Sequence, residues 1–313
     1  DLNWESQKSI YLMNYTERFF NILKNLKITK KCKDIRNHIL IIGNDGAIQR
    51  LIINKVKPSK SFIVTDTLIS NSIFRGKLIK WLFQFSNYFS LSHLVPGVSY
   101  LTAVDAIFVA EPYYKNIIKT YYKNLLVYNV NMPIHLNNRK KYYELKKIQN
   151  DKNINIIYIT SAYKWHRLFE DHLCQQQDIR DLIRNYGADK EIFLRFRIHP
   201  REDKLDYDWL KDLKIDNIDI STENTLVDDL SWCNKLVTTI SSVGVEARRL
   251  GIPTYIYIKN FGRNYIKNSI FENGFNIIDD INSLTNNSDY KLENNINKLQ
   301  NTLDKKLYDL IIS

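Results

Sequence analysis

Short apolar runs alternate with longer amphipathic segments in the first half of the chain. The runs that predict strands lie at 39–42, 61–65, 106–109 and 125–128. The segments that predict helices lie at 5–27, 47–54, 74–89 and 113–122. A short apolar run bounded by turn residues is typical of a buried strand, and apolar positions at helical spacing indicate an amphipathic helix. Because strands alternate with helices, the pattern predicts a parallel sheet.

A second series with the same alternation follows a polar stretch. Its predicted strands lie at 154–159, 192–198, 217–220, 235–240 and 254–258. Its predicted helices lie at 168–185, 226–233, 243–250 and 294–311. The basic segment 131–153 separates the two series, and we interpret it as a domain connection that carries a helix. The sequence therefore predicts an N-terminal α/β domain (1–130), this connection, and a C-terminal α/β domain (154–313).

Composition places the chain among ordinary globular proteins. Of 313 residues, 44% are hydrophobic and 25% are charged, which excludes intrinsic disorder for most of the chain. Lys and Arg number 45 against 34 Asp and Glu, so the net charge is +11. The basic residues are spread along the chain, and this distribution does not favour nucleic acid as a partner. No apolar run reaches the roughly 18 residues that a membrane helix needs.

Cysteine content and the start of the chain bear on its compartment. Cys32, Cys174 and Cys233 are far apart in the sequence, which argues against a disulfide framework or a zinc site and favours a reducing compartment. We therefore expect a cytoplasmic protein. Basic clusters and the aromatic segment 81–89 leave open peripheral contact with the cytoplasmic face of the inner membrane. The chain begins at Asp1 without an initiator methionine, which is consistent with a trimmed N-terminal domain.

The predicted strand 192–198 leads directly into His199 and Pro200. Ligands of open parallel sheets bind beyond the carboxyl ends of the strands, so this is a position where a site is expected. Pro200 restricts the backbone of His199, whose imidazole could donate to a phosphate oxygen or protonate a leaving group. Arg197 lies on the same face of the strand and adds positive charge. The alternative is an ordinary histidine in a surface turn.

Polar residues also follow three other strands of the second series. Glu223 could accept hydrogen bonds from ribose hydroxyls, or it could be an acidic residue near a helix N-terminus. Ser241 and Ser242 open a helix, where hydroxyls and backbone N–H groups can bind an anion, or they could be simple caps. Ser161 follows the first strand and is a candidate to touch the donor or acceptor.

The order and spacing of these residues resemble those of the bacterial GT-B sialyltransferases and polysialyltransferases. The shared pattern is a His-Pro pair with a basic residue two positions earlier, a glutamate about 25 residues later, and a Ser/Thr pair further on. Here these are Arg197, His199, Pro200, Glu223, Ser241 and Ser242. The resemblance implies an α/β, GT-B-like fold with two doubly wound Rossmann-type domains facing a cleft. It also implies that the histidine and the serines hold the phosphate of a cytidine monophosphate (CMP) leaving group.

The same resemblance assigns a general base in the first half of the chain. The family carries an acid-acid-Gly motif there, and this chain has Asn44, Asp45 and Gly46 after the first strand. Asp45 would be the base, although asparagine replaces the first acid of the motif. The alternative is an Asp-Gly turn without a catalytic role.

The implied activity is that of an inverting glycosyltransferase that needs no metal and no cofactor. It would move a sialic-acid-type sugar, a nonulosonic acid or Kdo, from its CMP donor to a glycan or glycolipid hydroxyl in surface polysaccharide or lipooligosaccharide synthesis. A CDP-glycerol or CDP-ribitol phosphotransferase of the teichoic-acid type and a non-catalytic basic module that binds an anionic polymer are the alternatives. A GT-B sugar epimerase would require an acid/base set that we do not find in the sequence.

Two polar stretches are predicted to have no part in the site. Residues 175–177 are three consecutive glutamines, which we interpret as an exposed helix face. Asp203, Asp206 and Asp208 lie in a polar segment that we interpret as solvated.

Overall fold

The computed structural model describes residues 37–43, 47–65, 85–86, 88–89, 104–121, 124–130, 133–146, 153–262, 266, 270–272, 275–285 and 308–310. The chain divides into two compact units, one formed by 1–132 with 299–313 and the other by 133–298. The predicted connection therefore divides after residue 132, and its helix belongs to the second unit. The C-terminal segment 299–313 joins the first unit and not the C-terminal domain to which the sequence pattern assigned it.

The first unit contains a parallel sheet of four described strands. They are β1 (Ile39–Ile42), β2 (Lys60–Thr65), β3 (Ala106–Val109) and β4 (Leu126–Asn129), paired in the order β1-β2-β3-β4. Helix α1 (Ala47–Val56) connects β1 to β2, and α2 (Pro112–Tyr121) connects β3 to β4. Strand β3 is apolar throughout and fully buried, as expected for a parallel strand covered on both faces. Among these four strands the order follows the chain without the reversal of a doubly wound sheet.

The second unit contains a six-stranded parallel sheet. Its strands are β5 (Ile154–Ile159), β6 (Ile192–Arg197), β7 (Ile218–Ser221), β8 (Lys235–Thr238), β9 (Thr254–Tyr257) and β10 (Asn276–Ile278). They are ordered β10-β9-β8-β5-β6-β7. Counted from β5, this is the 3-2-1-4-5-6 order of the Rossmann fold, read from β7 to β10. Successive strands are added on one side of β5 up to β7 and on its other side from β8 onward, so the strand order reverses between β5 and β8. The second sheet therefore confirms the doubly wound prediction.

Helices cover both faces of this second sheet. Helix α3 (Pro133–Lys146) precedes β5, α4 (Phe169–Tyr186) follows it, and α5 (Trp209–Asp212) follows β6. Helix α6 (Leu226–Trp232) precedes β8, and α7 (Ser242–Arg249) follows it. One apolar cluster joins α4 to residues such as Tyr158 and Phe196 on one face of the sheet. Another joins α3, α6 and α7 to residues such as Ile157 and Leu236 on the other face. None of the helices in the described part of the chain is long and apolar enough to cross a membrane.

Apart from β10 and α5, which the pattern does not predict, the observed strands and α-helices of the described part of the chain agree with the predicted ones to within a few residues. The pattern missed β10 and placed the end of the strand after α6 at residue 240, two residues beyond its observed end at Thr238. The predicted helix 5–27 lies outside the described residues. Of the predicted helix 294–311, the described part is 308–310, which is helical.

A buried carboxyl lies between α4 and the sheet. Asp178 is fully buried, accepts a hydrogen bond from the Tyr158 hydroxyl at 3.1 Å, and accepts another from Asn260 Nδ2 at 2.7 Å. Burial raises the pKa of Asp178 from 3.8 to about 8, although both hydrogen bonds act to lower it. The carboxyl is therefore protonated in the folded protein at neutral pH.

Asp178→Asn is expected to change how stability depends on pH. Between pH 4 and about 8 the folded wild type holds a proton that the unfolded chain releases, so its stability falls as pH rises. Asparagine cannot ionise, so the variant gains stability relative to wild type by up to about 1.4 kcal/mol for each pH unit in this range. Urea denaturation at pH 5, 6, 7 and 8 measures this difference. A difference that stays constant over the four pH values would contradict the prediction.

Candidate functional site

The end of β5 lies at the point where the strand order of the second sheet reverses. Strand β5 pairs with β6 on one side and with β8 on the other, so the segments that follow these three strands meet at one edge. Thr160 Oγ1 accepts the backbone N–H of His199 at 2.7 Å. The Ser161 hydroxyl donates to the carbonyl of Ile240 at 2.9 Å. The two residues that directly follow β5 therefore connect the histidine after β6 to the segment before the serines after β8.

The imidazole of His199 is held in a defined protonation state. Its Nδ1 accepts the backbone N–H of Arg201 at 3.1 Å, which leaves Nε2 to carry the proton of the neutral ring. Partial burial lowers the pKa of His199, and the nearby Arg201 and His166 lower it further. The ring is therefore neutral at pH 7 and above and presents an Nε2–H donor. This geometry favours hydrogen bonding to a phosphate oxygen over proton transfer to a leaving group.

The guanidinium of Arg197 forms a buried ion pair. Its Nη1 lies 2.5 Å from a carboxylate oxygen of Asp229, whose side chain is fully buried, and it also donates to the carbonyl of Asn224 at 2.9 Å. Arg195 contacts the other oxygen of Asp229 at 3.3 Å and lies over the ring of Trp232. The charge of Arg197, which the sequence assigned to a phosphate, is thus offset by Asp229. A direct contact from Arg197 to a ligand remains a prediction.

Glu223 lies in the exposed segment between β7 and α6. The next residue, Asn224, is held by Arg197 through its carbonyl and donates from Nδ2 to Asp229 at 3.1 Å. Thr225 caps α6 and forms a capping box with Asp228, so the cap is two residues beyond Glu223. The segment that carries Glu223 is thus fixed at its C-terminal side, and the carboxylate itself is exposed and accessible to a ligand.

Ser241 and Ser242 begin α7, as predicted. Ser241 is buried and caps the helix, because its Oγ accepts the N–H of Val243 at 3.3 Å. Ser242 is exposed, and no described residue forms a hydrogen bond with its hydroxyl. The first backbone N–H groups of a helix point outward without intrahelical partners and favour an anion. The capping interpretation therefore holds for Ser241, while Ser242 presents a hydroxyl and backbone at the sheet edge.

Gly244 brings α7 close to the sheet. A Cβ atom at this position would lie 3.2 Å from Cγ2 of Thr238 and 3.6 Å from Cγ2 of Thr254. Only glycine allows the helix to pack this close without displacing a neighbour. The position of the helix start relative to the end of β8 therefore depends on this residue.

Gly244→Val is expected to destabilise the second unit by about 1–3 kcal/mol, because its side chain overpacks the contact between α7 and the sheet. The shift of α7 should also weaken binding of any anion at the helix start. Gly43→Val is the matched control, since a Cβ at Gly43 would meet nothing within 4 Å. Urea denaturation of the two variants measures the difference. Equal midpoints for both variants would show that the close packing at Gly244 has no energetic role.

Three side chains that the sequence patterns did not assign to the site lie around His199, namely Trp165, His166 and Arg201. The guanidinium of Arg201 is over the ring of Trp165, with its Cζ 5.9 Å from the ring centre. Burial and Arg201 lower the pKa of His166. Trp165 is 45% exposed, so it does not pack in the core. The edge of the sheet beside His199 is therefore cationic and partly aromatic. The position of Arg201, two residues after His199, could have indicated this positive charge from the sequence.

A buried polar cluster lies beneath the segments that follow β5 and β6. Glu202 Oε2 is 3.0 Å from His172 Nδ1, and His172 Nε2 is 3.5 Å from Asp206. Lys164 Nζ contacts both oxygens of Asp206 at 2.7 and 2.8 Å. Asp206 is therefore paired and only partly exposed, contrary to the sequence-based interpretation, whereas Asp203 is exposed as that interpretation expects. The arrangement of paired charges explains why the polar segment 203–208 is ordered.

The three side chains His172, Glu202 and Asp206 are also close enough to ligate a metal ion, with one ligand atom from each within 4.8 Å of the others. The arrangement of these atoms does not favour a metal ion. The two ring nitrogens of His172 face different carboxylates. A metal ion would bind one ring nitrogen, and both carboxylates would then lie on that side of the ring. The ammonium of Lys164 already contacts both oxygens of Asp206.

The glutamine run is buried rather than exposed. Gln175 is fully buried, its Oε1 accepts the backbone N–H of Ser161 at 2.6 Å, and its Nε2 donates to the Ser161 carbonyl at 3.2 Å. Gln176 donates to the carbonyl of Asp206 at 3.4 Å. The helical spacing of His172, Gln175 and Ile179 could have revealed this inward face. Asp45, the predicted base, lies outside the described residues.

No protein-family model matches the sequence, and no curated protein matches it. Among solved structures, the chain is similar to a UDP-GlcNAc 2-epimerase of Methanocaldococcus jannaschii in complex with UDP-GlcNAc and UDP. The TM-score is 0.59 at 17% identity, over 96% of this chain and 82% of that one. A Listeria monocytogenes structure named as a UDP-N-acetylglucosamine 2-epimerase gives a TM-score of 0.50 at 13% identity, over 79% and 62% of the two chains. The wall teichoic acid polymerase TagF gives 0.43 at 12% identity, over 87% and 86%.

The two epimerase structures and the two parallel sheets together establish the fold class. The chain has an α/β fold of the GT-B type with two parallel-sheet domains. At these identities the similarity is one of fold.

Proposed function

We propose that the chain is a glycosyltransferase that binds the phosphate of a nucleotide-activated donor at the end of β5. The observation that carries this proposal is that Thr160 and Ser161, the two residues directly after β5, hold His199 and the residue before Ser241. A neutral imidazole with an outward Nε2–H and a helix start with an exposed hydroxyl are both donors to an anion. They lie at the switch point, where ligands of doubly wound sheets bind.

We propose CMP as the nucleotide and a nonulosonic acid or Kdo as the sugar. The spacing of His199, Glu223 and Ser241 supports this donor through the resemblance to GT-B sialyltransferases. Glu223 is exposed and lies just after β7, so its carboxylate is free to accept hydrogen bonds from ribose hydroxyls. Arg197 would act here by holding the segment that carries Glu223, through the carbonyl of Asn224.

The chemistry follows from these roles. The acceptor hydroxyl oxygen forms a bond to the anomeric carbon while the bond from that carbon to the phosphate oxygen breaks. CMP leaves with the electron pair, and the Nε2–H of His199 and the donors at the start of α7 stabilise the charge that grows on its phosphate. Asp45 would take the proton of the acceptor hydroxyl. A single displacement of this kind inverts the anomeric centre. The acceptor is a glycan or glycolipid hydroxyl.

Calorimetric titration with CMP, CDP, UDP and GDP, in the absence of added metal, tests the donor class. The proposal expects micromolar binding of CMP and weaker binding of the other three. A preference for CDP would favour the CDP-glycerol or CDP-ribitol phosphotransferase, and a preference for UDP would favour a different sugar donor. Binding of none of the four would mean that these strand ends are caps and turns, and a basic module for an anionic polymer would replace the enzyme.

A further inference from the structure

A chain of buried hydrogen bonds connects the two halves of the phosphate site from beneath. Gln175 holds Ser161 through both the N–H and the carbonyl of its backbone, and its Nε2 also donates to the Tyr207 hydroxyl at 3.0 Å. The Tyr207 hydroxyl lies 3.5 Å from Glu202 Oε2, to which it donates. The N–H of Glu202 donates to the carbonyl of His199 at 2.9 Å. We refer to Gln175, Tyr207 and Glu202 as the buried link.

The buried link is fully enclosed. Gln175 is 0%, Tyr207 1% and Glu202 6% exposed. The amide of Gln175 uses its acceptor and both donors, so its orientation is fixed. Glu202 makes a second connection, because its Oε1 accepts the backbone N–H of Lys164 at 3.0 Å. A buried carboxylate with these partners holds the segments after β5 and β6 at a fixed separation.

We propose that the buried link positions His199 against the start of α7. The path runs from the carbonyl of His199 through the link to Ser161, whose hydroxyl holds the carbonyl of Ile240 immediately before Ser241. None of the three link residues reaches the site edge. They act through His199 and are positioning residues for the phosphate. The inference rests on the function proposed above. It adds the residues that fix the distance between the His199 imidazole and the start of α7.

The physical reason is preorganisation. Two donors bind one phosphate tightly only when their separation is set before the ligand arrives, since otherwise binding must also supply the ordering of a loop. The segment 199–203 has no regular secondary structure of its own, and Glu202 is its one buried residue. Its position is therefore set by the buried bonds to Glu202 and by the N–H of His199 to Thr160.

Glu202→Ala is expected to weaken CMP binding by about tenfold, because it leaves the buried donors of Lys164 and Tyr207 without their acceptor and loosens the segment that carries His199. Glu202→Gln should lose less affinity than Glu202→Ala, because its Oε1 can still accept from Lys164, although its amide nitrogen can no longer accept from the Tyr207 hydroxyl. Glu191→Ala is the matched control, an exposed glutamate immediately before the opposite end of β6. Calorimetry measures all three.

A double variant separates positioning from general structural support. If Glu202 acts through His199, then Glu202→Ala adds less than about twofold to the loss already caused by His199→Ala. If Glu202 only supports the fold, the two losses multiply, and that result would overturn the inference. CMP binding by Glu202→Ala at the wild-type level would overturn it as well. Should Glu202→Ala fail to fold, Tyr207→Phe removes only the central hydroxyl and is expected to weaken CMP binding in the same direction.

A second readout does not depend on nucleotide binding. With histidine labelled by ¹⁵N, the imidazole signals of His199 in the free protein should change in Glu202→Ala and change less in Glu202→Gln, which keeps the acceptor for Lys164. If wild type binds no nucleotide, the proposed function fails, and these signals then decide the inference alone. Unchanged His199 signals in Glu202→Ala would show that the link does not position the ring.

Discussion

Replacing His199 by alanine is expected to weaken CMP binding about 10- to 100-fold and to lower kcat/KM for transfer by about 10²- to 10³-fold. A hydrogen bond to a charged group contributes roughly 1.5–3 kcal/mol to binding, and a donor aimed at charge that grows in the transition state contributes more to the rate. The Nε2–H of His199 is such a donor, because Nδ1 is occupied by the N–H of Arg201. Calorimetry and steady-state kinetics measure the two effects.

His199→Gln separates the two roles that the sequence left open. A glutamine amide can donate a hydrogen bond but cannot transfer a proton, so a donor role predicts partial recovery relative to alanine. A proton-transfer role predicts that glutamine and alanine are equally inactive. His38→Ala, an exposed histidine before β1 in the other unit, is the control and should bind CMP as wild type does. Wild-type affinity in His199→Ala would contradict the assignment of this residue.

Replacing Asp229 by alanine is expected to have the largest effect on stability, a loss of about 3–5 kcal/mol in the free energy of unfolding. Asp229 is fully buried and accepts from Arg195, Arg197, Ser221 and Asn224. Removing one member of a buried ion pair leaves the opposite charges without compensation, which is the costly case. Urea denaturation, with the slope checked for two-state behaviour, measures the loss.

Asp219→Ala is the matched control for Asp229. It removes the other carboxylate that contacts Arg195, at 2.8 Å, but that side chain is 57% exposed. An exposed ion pair contributes roughly 0–1 kcal/mol, so this variant should stay within about 1 kcal/mol of wild type. If the two variants lose equal stability, burial of Asp229 does not matter and the account of the ion pair is wrong. Loosening of the Glu223 segment should also weaken CMP binding in Asp229→Ala.

Strand positions were predictable from the sequence because parallel strands covered on both faces are short continuous apolar runs. The run 106–109 is the clearest case, and every residue of β3 is buried. Strand β10 was missed since Asn276–Ile278 has only three residues, too few to distinguish from a loop. Strand order was not predictable, because which strands pair depends on contacts between distant segments.

The residues at strand ends were also predictable, but their partners were not. His199, Ser241 and Ser242 stand where the pattern placed them. Arg197 shows the limit of alternation along a strand, which gives the face of a side chain but not the acid on α6 that pairs with it. Gln175 and Asp206 were interpreted as solvated on polarity alone. Such side chains are buried, as Gln175 is, or partly buried, as Asp206 is, when their hydrogen-bonding atoms find partners, and those partners lie in other segments.

The position of bound CMP in a crystal structure of the complex tests the central claim most directly. The account predicts phosphate oxygens within about 3.2 Å of His199 Nε2 and of a donor at the start of α7, the Ser242 hydroxyl or backbone. It also predicts that the ribose lies beside Glu223. A nucleotide bound away from the ends of β5, β6 and β8, or bound with its phosphate out of reach of His199, would contradict the account.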